Sequence, residues 1–203
     1  MSYNSLVNII IGLGNPGVEY VNTRHNAGIF LVDRLASLPV DQSDYGWRKF
    51  YGIMTCKFPD FILAKTADYF MNESGNVIYD IFRLDEFKNI TPSRPPLKEI
   101  SPSVSIGGGQ LYVVHDDLDI KLGEYKIQKG VGPKLHNGVE AVEKALGTKD
   151  FWRIRIGVDN RIPNTEYRIP GEEYVLQKFS GEERKALDEV LEKITDEITK
   201  TTH

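Results

Sequence analysis

Residues Val7 to Leu13 (VNIIIGL) form a near-continuous, largely β-branched apolar run ending in glycine and leucine, and this run constrains the fold more than any other stretch. A strand with one wet face alternates apolar and polar residues. A run without alternation must bury both faces, as the central strand of a helix-covered sheet does. Gly14-Asn15-Pro16-Gly17 then turns the chain, and a helix is expected from near Thr23 or Asn26 to about Ser37, with Ile29, Phe30, Val32, Leu35 and Ala36 on its apolar face. Tyr51 to Phe58 and Phe61 to Lys65 read as short strands around Pro59-Asp60. Asn72 or Ser74 is placed to cap a helix that continues through Val77, Ile78, Ile81 and Phe82 to about Leu84. Leu111 to His115, Tyr125 to Lys129 and Arg153 to Val158 supply further strands. Val139, Val142, Ala145 and Leu146 mark one helix face; Leu187, Val190, Leu191, Ile194 and Ile198 mark another, in a closing helix from about Gly181 to Thr199. Strands separated by helices predict an α/β fold: a single three-layer domain over residues 1–203, its mixed, mostly parallel twisted sheet flanked by helices.

The chain is long enough at 203 residues to bury a substantial core. No apolar run approaches the roughly 18 residues of a membrane span, so no membrane partner is expected. The first residues carry no basic region, Arg-rich amphipathic stretch or small-residue cleavage site, and no cleavable address is read there. Cys56 is the sole cysteine, which excludes an internal disulfide, favours a reducing compartment and suits a buried structural thiol. The cytoplasm or the mitochondrion is the expected location. Asn89 to Gly109 holds four prolines, several serines and a glycine triplet without periodicity, so residues 88–109 read as an exposed Pro/Ser/Gly-rich insertion. His203 reads as a terminal residue without structure. The net charge of −4 argues against a nucleic-acid partner until its distribution is considered: residues 121–161 carry nine Lys and Arg against five Asp and Glu. Such a segment is either a phosphate-contacting face or a solvated surface.

Gly12-Leu13-Gly14-Asn15-Pro16-Gly17 matches the dinucleotide-binding fingerprint literally. Pro16, however, removes one N–H donor from the loop, the polar stretch Val18 to Thr23 delays the helix, and the strand Tyr51 to Phe58 carries Lys57 where an acid belongs. The alternative is that the glycines shape a corner exposing Asn15 at the carboxyl end of the sheet, where open α/β folds bind ligands. Asn15 by itself could equally be a turn residue bonded to its own backbone.

Further clusters of His, Asn and Asp fall beside strands: Thr23-Arg24-His25-Asn26, Tyr69-Phe70-Met71-Asn72, His115-Asp116-Asp117 and His136-Asn137-Gly138. Carboxamides at strand ends, without metal-ligand spacing or G-x-S-x-G, suggest hydrolysis by an oriented water. Here a resemblance becomes specific. GLGNPGVEYVNTRHNAG (12–28), YFMNESG (69–75), HDDLDIKLGEYKIQKG (115–130), HNG (136–138), FWRIRIG (151–157) and EEYVLQKFSGEER (172–184) together resemble the bacterial-type peptidyl-tRNA hydrolase family. The resemblance covers roughly residues 7–84 and 111–200. It implies a monomer without metal or cofactor that acts on a peptidyl-tRNA ester. It also implies His25 as the catalytic histidine, Asp116 as its carboxylate partner and Asn15 beside them. Tyr20, Phe70, Met71, Asn72 and Asn137 would bind substrate, and Lys126 and Arg155 would meet the tRNA.

Those residue types suit the chemistry. A neutral imidazole can take a proton from water as it attacks the ester, an ionised partner carboxylate fixes the tautomer, and carboxamides can donate to the oxyanion. His115 and His136 read as structural, with His136 the nearer to substrate; Asp117 and Asp119 read as strand-end turn acids. The sequence departs from the family in three places. Gly130-Val131-Gly132-Pro133-Lys134-Leu135 replaces a run of small residues, Val158-Asp159-Asn160-Arg161 replaces Gly-x-Pro, and Gln128 stands at a basic position. All three concern binding rather than bond breaking. Two other readings remain at this point: an RNA-binding relative that does not hydrolyse, and a nucleotide-binding module.

Overall fold

The computed structural model describes residues 7–38, 46–84, 105–106, 109–161 and 169–201. Of the expected insertion at 88–109, all but 105, 106 and 109 lies outside the described residues, as does His203. In chain order the strands are β1 (Asn8–Gly12), β2 (Arg48–Phe50), β3 (Ile53–Lys57), β4 (Phe61–Thr66), β5 (Ser105–Ile106), β6 (Gly109–Lys121), β7 (Tyr125–Lys129) and β8 (Trp152–Asp159). The helices are α1 (Ala27–Ala36), α2 (Gly75–Ile81), α3 (Asn137–Leu146), α4 (Gly171–Tyr174) and α5 (Gly181–Thr201).

The strands form one mixed sheet in the order β2-β3-β4-β1-β6-β8-β7, with β5 paired to the start of β6. Parallel pairing is confined to its centre, β4-β1-β6-β8, and the pairs β2-β3, β3-β4 and β7-β8 are antiparallel. β1 lies in the middle because its residues serve two cores. Ile9 and Ile11 pack with Val77, Ile78, Val139 and Val142 of α2 and α3, while Ile10 packs with Leu31, Leu35, Leu187, Val190 and Leu191 of α1 and α5. The missing alternation in its sequence thus records helices on both faces. Each such side chain, fully buried, contributes about 1.5–3 kcal/mol. Cys56 belongs to the second core, and burial pushes its thiol up despite the charge of Arg48. Among the described residues, no helix is long and apolar enough to cross a membrane.

Three boundaries differ from expectation. The segment from Tyr51 is not one strand: Tyr51 takes φ 50°, the chain turns, and exposed Arg48 and Lys49 form the edge strand β2. The helix expected to reach about Leu84 ends at Ile81, although Ser74, one of its two expected caps, does occupy its N-cap position. A single 3-10 turn (Met71–Glu73) precedes α2, and the Ser74 hydroxyl donates back to Met71 O instead of capping. β6 runs well past His115, because β8 pairs with it through Asp117 and again at Lys121, across a register shift.

The glycine fingerprint serves packing. A Cβ on Gly28 would lie 2.4 Å from the Val114 carbonyl oxygen, and one on Gly12 would lie 2.5 Å from that of Gly28. The start of α1 therefore sits directly against the ends of β1 and β6.

Candidate active site

The parallel strands β4, β1 and β6 end side by side, and the loops beyond them converge. Thr66 Oγ1 donates to Gly14 O at 2.7 Å, tying the loop after β1 to the end of β4. One residue on, Asn15 is buried and held at three points. Its N–H donates to Asn26 Oδ1 (2.8 Å), its carbonyl accepts from Asn26 Nδ2 (3.0 Å), and its own Oδ1 accepts the Met71 N–H (2.8 Å). With its carbonyl end committed to Met71, the side chain turns its NH2 end to the other side as a donor.

His25 sits in a 3-10 turn (Arg24–Asn26) between that loop and α1. Such a turn has little hold of its own, and the C-terminal segment supplies it: His25 N–H donates to Val175 O at 2.8 Å and Arg24 N–H to Gln177 O at 3.0 Å. The Arg24 guanidinium is buried against Glu183 (2.7 Å to each oxygen) and Lys178 O, with the Tyr174 ring 4.2 Å away.

From this position His25 Nδ1–H donates to Asp116 Oδ1 at 2.8 Å, and its side chain is 13% exposed. Burial alone would lower the proton affinity of His25, but the Asp116 charge and hydrogen bond outweigh it, so the pKa rises above its ordinary value. Burial would push Asp116 up; the charges and N–H groups of His25 and His136 hold it far below the carboxylate range. His136 Nε2 lies 2.9 Å from the same oxygen, and the two histidine rings are 5.1 Å apart. His115 lies beneath, its ring edge-on to His136 at 4.9 Å, with Nδ1–H donating to the Asp116 carbonyl at 2.6 Å. Burial first, then His136 and Arg153, push its pKa down to about 3, which favours the neutral ring.

The geometry therefore brings His25, Asp116, Asn15 and Met71 together. Tyr20 and Phe70 meet edge to face at 6.2 Å, with Phe70 47% exposed, and Asn72 and Asn137 are exposed beside Met71 and His136. Lys126 is exposed on β7. Arg155, the other residue expected to meet the tRNA, is turned inward. It is 7% exposed, its Nε donates to Asp117 Oδ2 and its Nη1 to Gln128 Oε1, each at 2.8 Å. The Gln128 departure accounts for part of this, because a lysine there would repel the guanidinium. The loop before His136 packs on Arg155 at Gly132 and is bonded from Lys134 N–H to Asp119, which leaves Leu135 86% exposed. Asp117 and Asp119 are thus anchors of a loop as well as turn acids.

Sequence reasoning missed Asn26, the bond of His136 to Asp116, and the hold of residues 174–183 on His25. Asn26 stood in the quoted Thr-Arg-His-Asn cluster, but its partners lie on a different loop. His25, Asp116 and His136 also place potential metal-ligand atoms within 4.8 Å of one another. Those atoms are at hydrogen-bond distance with one oxygen shared, so the cluster as it stands is a hydrogen-bonded trio.

An imidazole backed by a buried carboxylate at the strand ends, beside a fixed carboxamide, defines an α/β protein equipped for acid–base chemistry. Comparison with known proteins gives the family. The family model described as peptidyl-tRNA hydrolase matches residues 9–203. Peptidyl-tRNA hydrolase of Neisseria meningitidis serogroup C is 34% identical over 200 residues, covering 94% of this chain and 88% of the relative. That of a Sulfurihydrogenibium species is 36% identical over 187 residues, covering 92% and 86%. The crystal structure of peptidyl-tRNA hydrolase from Acinetobacter baumannii is similar with TM-score 0.67 and 25% identity, covering 98% of this chain and 90% of that one. A peptidyl-tRNA hydrolase in complex with N-propanol gives TM-score 0.68 at 26% identity, covering 97% and 88%. The chain belongs to the peptidyl-tRNA hydrolase family.

Proposed function

We propose that this chain hydrolyses the ester between a peptide, or an N-acylated amino acid, and the 3′ end of a tRNA, returning the tRNA to translation, as a monomer and without metal or cofactor. The observation that carries this reading is the pairing of His25 Nδ1 with buried Asp116 Oδ1 at 2.8 Å, beside an Asn15 whose carbonyl end is already committed. With Nδ1–H given to Asp116, Nε2 of His25 is the basic nitrogen, and it takes a proton from water as the oxygen attacks the ester carbonyl. The resulting imidazolium is stabilised by Asp116, which stays ionised. Asn15 Nδ2–H donates to the developing oxyanion or holds the water, and loss of such a donor costs about 3 kcal/mol. His25 then returns the proton to the leaving ribose oxygen. Phe70 and Tyr20 offer an apolar wall, Asn72 and Asn137 offer carboxamides for the peptide, and exposed Lys126 suits a phosphate.

The test is release of free tRNA from a purified N-acetyl-aminoacyl-tRNA. Wild type should turn over, with loss of about 10²–10⁴-fold in His25→Ala and a substantial drop in Asp116→Asn. Tight tRNA binding without turnover by the wild type would instead support a non-hydrolytic RNA-binding protein. Activity that survives exhaustive chelation, and a monomer mass in solution, are the expected results for the remaining parts of the proposal.

A further inference from the structure

His136 has no part in the chemistry above, yet both of its ring nitrogens are engaged. Nδ1 accepts the Val139 N–H at 3.3 Å at the entry of α3, and Nε2 faces Asp116 Oδ1 at 2.9 Å. A nitrogen that accepts an amide N–H carries no proton, so the imidazole proton sits on Nε2 and points at Asp116. His136 is 8% exposed and has no nitrogen left for water or substrate, which excludes it as the base. What it does is share the oxygen that His25 uses.

We propose that His136 is a positioning residue for the hydrolysis: its Nε2–H pins Asp116 Oδ1 in line with His25 and takes up part of the carboxylate's charge. The proposal rests on the function given above. A carboxylate with one donor can swing away about its Cβ–Cγ bond, whereas one whose single oxygen receives two N–H groups is fixed. The shared charge also limits how strongly Asp116 favours the imidazolium form of His25. The other charged groups nearby are committed elsewhere: Arg24 to Glu183, Asp117 to Arg155, and Arg153 to Glu143. His115 on β6 is neutral. Loss of the His136 donor therefore leaves His25 facing a less compensated charge, and His25 titrates at higher pH.

Two substitutions separate positioning from helix capping. In His136→Gln the amide NH2 overlays Nε2 and still reaches Asp116, but the acceptor for Val139 is lost. In His136→Asn the shorter carboxamide oxygen overlays Nδ1 and keeps the cap, but the side chain cannot reach Asp116. His136→Asn should move the acid limb of the kcat–pH profile up by about half to one pH unit. It should also lower kcat about tenfold with little change in KM. His136→Gln should keep the wild-type limb and instead lose thermal stability. NMR titration of the His25 ring should show the same upward shift in His136→Asn without substrate. If the acid limb and the ring titration stay in place in His136→Asn, or if both variants shift alike, the proposal is overturned. An inactive wild type would instead remove the hydrolytic reading, and the ring titration would still decide whether His136 acts on the Asp116–His25 pair.

Discussion

The carboxamide of Asn26 grips the main chain of Asn15 in both directions, accepting its N–H at 2.8 Å and donating to its carbonyl at 3.0 Å. The residue after the proposed base thereby sets the loop that carries the proposed oxyanion donor. Asn26→Ala leaves two buried backbone groups without partners, at about 1–3 kcal/mol each. It should lower stability in urea denaturation and reduce kcat more than it raises KM. Asn26→Asp keeps the acceptor but sets a carboxylate against the Asn15 carbonyl, and should do no better.

Nη2 of Arg24 bonds both carboxylate oxygens of Glu183, and the two side chains are 5% and 13% exposed. Removing one partner from a buried pair costs about 3–5 kcal/mol, because the other charge is left uncompensated. Arg24→Met should lose stability on that scale in denaturant. It should also slow hydrolysis, since the turn holding His25 loses its anchor. Activity undiminished in a destabilised but folded Arg24→Met would separate the two sites.

The neutral, buried His115 makes stability depend on pH in a definite direction. Its folded pKa of about 3 lies below the unfolded value, so between about 6.5 and 3 the unfolded chain binds a proton that the folded chain refuses. Its contribution is complete above the unfolded pKa and is lost as pH falls, by up to about 1.4 kcal/mol per unit. His25 has the opposite sign, because its raised pKa adds stability at low pH that is lost as pH rises through the folded value. His115→Asn keeps a donor for the Asp116 carbonyl, and its melting temperature should fall less than that of wild type between pH 6.5 and 4.

Gly28→Ala would bring a methyl group to 2.4 Å from the Val114 carbonyl and 2.7 Å from that of Leu13. Neither backbone atom can move aside, so overpacking should cost about 1–3 kcal/mol or more. Nucleotides, in contrast, should leave the wild-type melting temperature unchanged, and a rise would reopen the fingerprint as a binding loop.

Periodicity carried the central strands and the apolar helix faces into view, because burial on two sides leaves a mark that any window records. It failed where tertiary partners decide. β2 has no apolar pattern and exists because β3 offers a free edge, and the far half of β6 is polar and held by β8. The candidate site was legible as residue types beside strand ends, with His25 and Asp116 brought together as expected. Arg155 was not legible. Its sequence neighbourhood looks like a basic surface, but Asp117 and Gln128 draw it inward from strands on either side of β8.

The dependence of His25 on residues 174–183 also has a direction in time. Synthesis delivers the sheet strands first and this segment after them, so a nascent copy that already holds β1, β6 and β8 still lacks the carbonyls of Val175 and Gln177 and the carboxylate of Glu183. While it is being made, such a chain is itself a peptide esterified to tRNA, the kind of molecule it is proposed to cleave. The hold on His25 is therefore acquired only after every described strand of the sheet has been made, with the addition of residues 174–183.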